Sequence, residues 1–344
     1  MAKKAIFERK NVLVIGGAGF IGSHLCTELV RQSKVICVDN FSTGSEENID
    51  NLLNNPSFRF VRHDMSAPLD FRKFSELASF QIEFQGIQEV YNCACPTSSK
   101  HFEKFYLETL LANSYVVKNA LDIAVAHQAK FLHLSTSAIY GDPLEHQTSF
   151  HEQYWGFVNP VGLRSCYNEG KRFAETLVST YRRKYPIDAK IARLFNVYGP
   201  NMRPDSGRMI PDMIRQASEN NDVIIYGDGT EQKSYCYISD IIDGLLKCIQ
   251  SQEVGPINMG STELYSIRFI AERIIQVLSS QSKIMHQPAL PAITRQVVPD
   301  ITLAKNRLGW YPVVRLEDGL SRTIKEMAAR KVLRFTDFTH KSNP

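Results

Sequence analysis

The feature that most constrains this chain is a glycine run set between two kinds of periodicity. Asn11-Val-Leu-Val-Ile15 is a short apolar run of strand type, and Gly16-Gly-Ala-Gly19-Phe20-Ile21-Gly22 follows it directly. A helical pattern continues to about Arg31, and a second apolar run, 35–38, ends on Asp39. Glycines between a strand and a helix, with an acid about 20 residues on, predict a dinucleotide site. Gly16 allows the tight turn, Gly19 lets backbone approach a pyrophosphate, and Gly22 lets the helix pack on the strand. The phosphates then meet the positive end of a helix. Asp39 can accept hydrogen bonds from both adenine-ribose hydroxyls and would repel a 2′-phosphate. Asn40-Phe-Ser-Thr brings no arginine directly behind it, so NAD is expected rather than NADP. Phe20, Ile21 and Asn40 belong to the same expected site, and Asp64, after the third strand, is expected to meet the adenine.

Further apolar runs at 58–61, 89–94, 131–134 and 189–195 alternate with helical patterns, including 104–127 and 165–184. Short apolar strands alternating with helices predict a Rossmann-type, doubly wound parallel sheet covered on both faces. The character changes near Asn196. Gly-, Pro- and Asp-rich turns, a short strand at 223–226 and helices at about 238–251, 266–280 and 316–331 predict a smaller C-terminal α/β lobe. Such a lobe sits where open α/β sheets bind ligands, at the carboxyl ends of the strands. The expected organisation is an NAD-binding domain over 10–195, a mainly substrate-binding lobe over 196–331 with strands free to cross back, and a tail over 332–344.

Composition narrows the partners. Lys+Arg 40 against Asp+Glu 36 gives a net charge of +4, too weak a bias for nucleic acid or an anionic membrane but suited to an anionic small molecule. No apolar stretch is long enough to span a membrane, and the first residues lack the apolar core of a secretion signal. The seven cysteines (26, 37, 93, 95, 166, 236, 248) have no framework spacing, and Cys93 and Cys95 are too close for the usual zinc pattern. Buried free thiols in a reducing cytoplasm are the expectation. His63, His101 and His133 form no ligand set, so no metal is expected, and Trp155 and Trp310 are read as packing residues.

Tyr167-Asn-Glu-Gly-Lys171 puts a phenol and an ammonium one helical turn apart on one face. A nearby cation lowers a phenol's pKa, so this pair reads as a general base for a sugar hydroxyl while hydride leaves the adjoining carbon for NAD. Thr136, in Ser135-Thr-Ser137-Ala-Ile-Tyr-Gly at the end of the fifth strand, can share that hydroxyl, with Ser137 beside it on the substrate side. Asn113, on the preceding helical stretch, is expected to help order the site. Arg203 and Arg208 are candidates to neutralise phosphates of the sugar nucleotide and cofactor, and Asn196 and Lys233 to bind the substrate diphosphate.

Taken together, the glycine turn, Asp39, Thr136 and Tyr167/Lys171 resemble the extended short-chain dehydrogenase/reductase (NAD-dependent epimerase/dehydratase) family. Within it the likeness is greatest to the UDP-glucuronate decarboxylase subgroup. It is carried by Tyr154-Trp-Gly-Phe-Val-Asn-Pro-Val-Gly-Leu-Arg-Ser-Cys-Tyr167-Asn-Glu-Gly-Lys171-Arg, Ala192-Arg-Leu-Phe-Asn196-Val-Tyr-Gly-Pro, Tyr235-Cys-Tyr-Ile-Ser-Asp240, and Cys95-Pro96. The resemblance implies a bound NAD that oxidises C4 of a UDP-sugar and then returns the hydride, with no net redox change. In the decarboxylase the 4-ketone makes the C6 carboxylate a β-keto acid, which loses carbon dioxide. It also implies a homodimer formed through the two long helices. The subgroup's glutamate position holds Ala138, and its arginine position holds Val297, with Arg295 nearby. Lys233 stands for an arginine, Glu108 for a lysine, and residues 66–88 exceed the usual length. A 4-epimerase needs neither missing group and is the alternative implied. A 4,6-dehydratase, which carries acids where Ser137-Ala138 stand, and a non-catalytic NAD-binding regulator are more distant alternatives.

Overall fold

The computed structural model describes residues 9–97, 104–144, 146–204, 206–288 and 298–339. Val297, Arg295 and His101, singled out above, lie outside the described residues. In chain order the elements are β1 (Asn11–Ile15), α1 (Phe20–Leu29), β2 (Lys34–Asp39), β3 (Phe58–Arg62), α2 (Ile82–Gln85), β4 (Glu89–Asn92), α3 (Tyr106–Asn113), α4 (Tyr115–His127), β5 (Lys130–Thr136), β6 (Ser149–Phe150), α5 (Ser165–Lys184), β7 (Ala189–Leu194) and β8 (Val197–Tyr198). There follow α6 (Met209–Ser218), β9 (Val223–Tyr226), β10 (Gln232–Lys233), β11 (Cys236–Tyr237), α7 (Ile238–Gln250), β12 (Pro256–Met259), β13 (Tyr265–Ser266), α8 (Ile267–Leu278), β14 (Ile284–Gln287), β15 (Val298–Pro299), α9 (Thr302–Leu308) and α10 (Leu316–Thr339).

Seven strands form one sheet in the order β12-β7-β5-β4-β1-β2-β3, with parallel pairing at every step. This is a doubly wound, Rossmann-type sheet. Strand order reverses between β1 and β4, which opens a crevice at their carboxyl ends. All five residues of β1 are buried, and they divide by the strand's period of two. Val12 and Val14 enter the core shared with α1 and α7, whereas Leu13 and Ile15 enter the core under α4 and α5. The first of these cores runs without a break into the carboxyl-terminal segments, taking in Ile210 and Ile214 of α6 and Ile270 and Ile274 of α8. β12 comes from beyond residue 195 and returns to pair with β7, with Ile257 opposite Ala192.

Several elements depart from the sequence expectation. The helical stretch at 104–127 is two helices, because Ser114 leaves helical geometry at φ −119°, ψ −82°. Its hydroxyl donates back to the Leu110 carbonyl at 2.8 Å, a local bond that competes with continuation of the helix. α6 has no counterpart in the sequence reading, although its buried Ile210, Met213, Ile214 and Ala217 follow helical spacing. α10 continues to Thr339, past the expected end at residue 331. Trp310 packs as expected, 1% exposed, with its indole N–H donating to the Asp240 carbonyl at 2.7 Å. Trp155 does not: it is 88% exposed, in a loop whose Phe157, Val161 and Leu163 also face solvent. Among the described residues no helix is long and apolar enough to cross a membrane.

Candidate active site

The crevice between β1 and β4 opens into a cavity of about 540 Å³, a normal volume for a small-molecule site. At one end is the glycine turn. Gly16 sits at φ +75°, and a β-carbon there would lie 2.7 Å from Ala94 Cα. A β-carbon on Gly22 would lie 2.1 Å from the Gly16 carbonyl, so α1 reaches the turn only because residue 22 has none. Gly19 and the first residues of α1, Phe20 and Ile21, line the cavity.

Asp39 closes this end. It is buried, and its two carboxylate oxygens accept from the backbone N–H groups of Ala18 (3.0 Å) and Phe41 (2.8 Å). Phe41 takes a left-handed conformation (φ 60°) that brings its N–H to that oxygen, and its ring stacks on Phe60 at 4.9 Å. Burial raises the Asp39 pKa against the pull of these backbone bonds. Each oxygen keeps a lone pair for a ribose hydroxyl. Asn40 donates to Asp64 at 3.0 Å, and both side the same end of the cavity. A turn that a β-carbon would block, facing an acid with spare acceptor capacity, fits NAD.

The chemical end lies on β5 and α5. Tyr167 and Lys171 follow each other by one turn of α5 and are both buried. Lys171 Nζ donates to the Leu134 carbonyl at 2.8 Å. Tyr167 makes a hydrogen bond with the Thr136 side chain. Burial pushes the Tyr167 phenol up to about 12. The charge of a Cys95 thiolate would push the same way, while the Thr136 hydrogen bond and the charges of Arg208 and Arg164 pull it down. This departs from the lowered phenol pKa expected of a neighbouring cation. The ammonium is turned to a carbonyl, and burial outweighs the cationic field.

Thr136, Ser137, Asn196, Arg203 and Arg208 line the cavity with this pair. Arg208 donates to the Thr97 side chain at 2.7 Å, tying the carboxyl-terminal lobe to the segment after β4. Two of the sequence candidates lie outside the wall. Asn113 is buried behind it, its amide donating to the Thr109 carbonyl (2.8 Å) and to Cys95 Sγ (3.2 Å). Lys233 is held in the antiparallel pairing of β10 with β13 and pairs with Glu231 at 3.4 Å. Ala138 packs with Tyr167 and Cys166, so an apolar methyl stands where the subgroup has a carboxylate.

The sequence reading did not place Cys93, Thr97, Lys104, Phe105 or Leu111 at the site, yet all line the cavity. The signal available for Cys93 and Thr97 was their position just past a parallel strand at the switch point. All seven cysteines are free thiols, and Cys93 and Cys95 are the two that are only partly buried. No group of three or more metal-ligating side chains occurs among the described residues.

The NAD dependent epimerase/dehydratase family matches residues 12–260. UDP-glucuronic acid decarboxylase 1 of Arabidopsis thaliana is 38% identical over 324 residues, covering 94% of this chain and 71% of the relative. UDP-glucuronic acid decarboxylase 5 of the same plant is 40% identical over 311 residues, covering 90% and 86%. The crystal structure of a UDP-glucuronic acid 4-epimerase from Bacillus cereus, in complex with UDP-glucuronic acid and NAD, superimposes with a TM-score of 0.79. That likeness has 28% identity and covers 93% of this chain and 99% of the epimerase.

Proposed function

Since the chain belongs to the NAD dependent epimerase/dehydratase family, we propose that it oxidises C4 of UDP-glucuronate with bound NAD and carries the 4-keto sugar on to decarboxylation. The observation that supports this best is the sharing of one cavity by the glycine turn, Asp39, and the Tyr167–Thr136–Lys171 group. NAD, when bound, supplies the hydride acceptor. The remaining work belongs to the chain's own residues. Tyr167 acts from its phenolate form, its own proton having first passed to water in the cavity, and takes the proton of the C4 hydroxyl that Thr136 holds in line. Lys171, anchored on the Leu134 carbonyl, supplies positive charge beside the phenol. Arg203 and Arg208 meet phosphates, and Ser137 and Asn196 line the substrate side. Holding sugar and cofactor in reach supplies proximity.

A specific observation favours a second reading. Ala138 puts a methyl, not a carboxylate, beside Tyr167, and a 4-epimerase needs no acid there. The similarity to a UDP-glucuronic acid 4-epimerase keeps the same substrate under this reading. One experiment separates the two. The protein is incubated with UDP-glucuronate, UDP-galacturonate, UDP-glucose and UDP-N-acetylglucosamine, and the products are analysed by mass spectrometry. Loss of carbon dioxide supports decarboxylation, and an unchanged mass at a new retention time supports epimerisation. Loss of water indicates a dehydratase, and no change with any sugar removes the enzymatic reading. We also assign the exposed Leu107, Leu110, Tyr115 and Phe173 of α3, α4 and α5 to a homodimer contact.

A further inference from the structure

Beneath the chemical pair lies a polar network that the proposed chemistry does not use. Tyr167, Lys171 and Glu175 stand at successive four-residue steps on one face of α5. Each engages the end of β5: Tyr167 the side chain of Thr136, Lys171 the carbonyl of Leu134, and Glu175 the hydroxyl of Ser135, which donates at 2.5 Å. Glu175 is in turn gripped by the Arg193 fork of β7, with Nε to Oε1 at 3.0 Å and Nη2 to Oε2 at 2.7 Å. The two side chains are only 10% and 12% exposed.

The remaining nitrogen of Arg193 reaches the turn after β5 and the segment after β6. Nη1 donates to the Tyr140 hydroxyl at 2.9 Å and to the Glu152 carbonyl at 2.8 Å. Tyr140 donates to Asn258 Oδ1 at 2.7 Å, and the Asn258 amide donates to the Phe150 carbonyl at 2.9 Å. A single guanidinium thus joins the helix bearing Tyr167, the turn after Thr136 and the β6 segment. A buried ion pair adds little net stability compared with apolar packing, so its value here is geometric.

We propose that Glu175 and Arg193 are positioning residues. They latch α5 to the end of β5, so that the phenol of Tyr167 and the hydroxyl of Thr136 meet the same sugar hydroxyl. The inference rests on the reading of the Tyr167 site given above. Arg193→Lys keeps the charge but loses the fork, and Glu175→Gln keeps the shape but loses the charge. Each should lower kcat roughly 10- to 100-fold with KM for the UDP-sugar within about twofold, as a small misplacement of reacting groups does.

Hydrogen exchange of the NAD-loaded protein gives a readout independent of turnover. Amides of 165–176 and 135–140 should exchange faster, with those of β1 and β2 unchanged. Ser135→Ala, which removes one bond and no charge, should show the same local pattern more weakly, and it covers the case in which the charged-pair variants do not fold. The proposal is overturned if kcat per folded molecule stays within about twofold of the parent, or if exchange accelerates equally over β1 and β2. Should the unaltered protein turn over none of the sugars, the functional reading fails, while the exchange pattern still decides the latch.

Discussion

Burial holds a proton on Tyr167 that the chemistry needs to move. Tyr167→Phe should therefore cut turnover by roughly 10²–10⁴-fold and leave NAD bound. Steady-state rates and a binding titration on the same preparation check this, and full activity would remove the phenol from the reaction. Ala138→Glu should raise decarboxylation of UDP-glucuronate if the missing acid limits that step, and an unchanged rate of carbon dioxide release would show that it does not. His133 carries a different consequence. It is 1% exposed, and its Nδ1 faces the Asn92 amide at 3.3 Å, while Nε2 has no hydrogen-bond partner among the described residues. Burial, then the charge of Lys171, holds its pKa well below 6.5. The unfolded chain takes up a proton there as pH falls below 6.5 and the folded chain does not. Stability is thus fully present above that pH and is lost as pH falls below it. Urea unfolding at pH 7.5 and 5.5 should show His133→Leu losing less stability than the parent across that interval, by on the order of 1 kcal/mol. Equal losses would sink the argument. None of this was legible in the sequence, where His133 is one residue in an apolar run, whereas Tyr167 and Lys171 announced themselves by spacing.

At the scale of elements, patterns carried by buried periodicity were readable and those set by tertiary contacts were not. β1, β9 and α5 fall where their apolar spacing puts them. The interruption at Ser114 was not readable, because it depends on one side-chain bond back to Leu110. The exposure of Trp155 was equally hidden, since composition says nothing of which loop faces water. The glycine turn was readable in kind, and its tightness is now measurable. An alanine inside a helix normally favours that helix by up to about 1 kcal/mol over glycine. At Gly22 the sign reverses, because the new carbon would sit 2.1 Å from the Gly16 carbonyl. Gly22→Ala should weaken NAD binding about tenfold, matching an overpacking cost of about 1–3 kcal/mol. Calorimetric titration checks this, and undiminished affinity would mean that α1 can retreat without disturbing the turn.

At the scale of the molecule, large apolar side chains are exposed along α3, α4 and α5, with Leu107 71% and Phe173 50% accessible. Patches of this kind on a folded protein mark contacts with other chains. Leu107→Glu combined with Phe173→Glu should convert a dimer to a monomer in sedimentation velocity, with NAD affinity retained. A parent protein that already sediments as a monomer would refute the assignment. The sheet itself has a temporal consequence. β12 is the last strand to join it and begins only at Pro256, long after β7 has been made. While the ribosome is still extending the chain, the nascent β7 presents a bare edge of unpaired amides. If that edge needs shielding before β12 arrives, depleting chaperones should lower the folded yield in cells, and an unchanged yield would show that it does not.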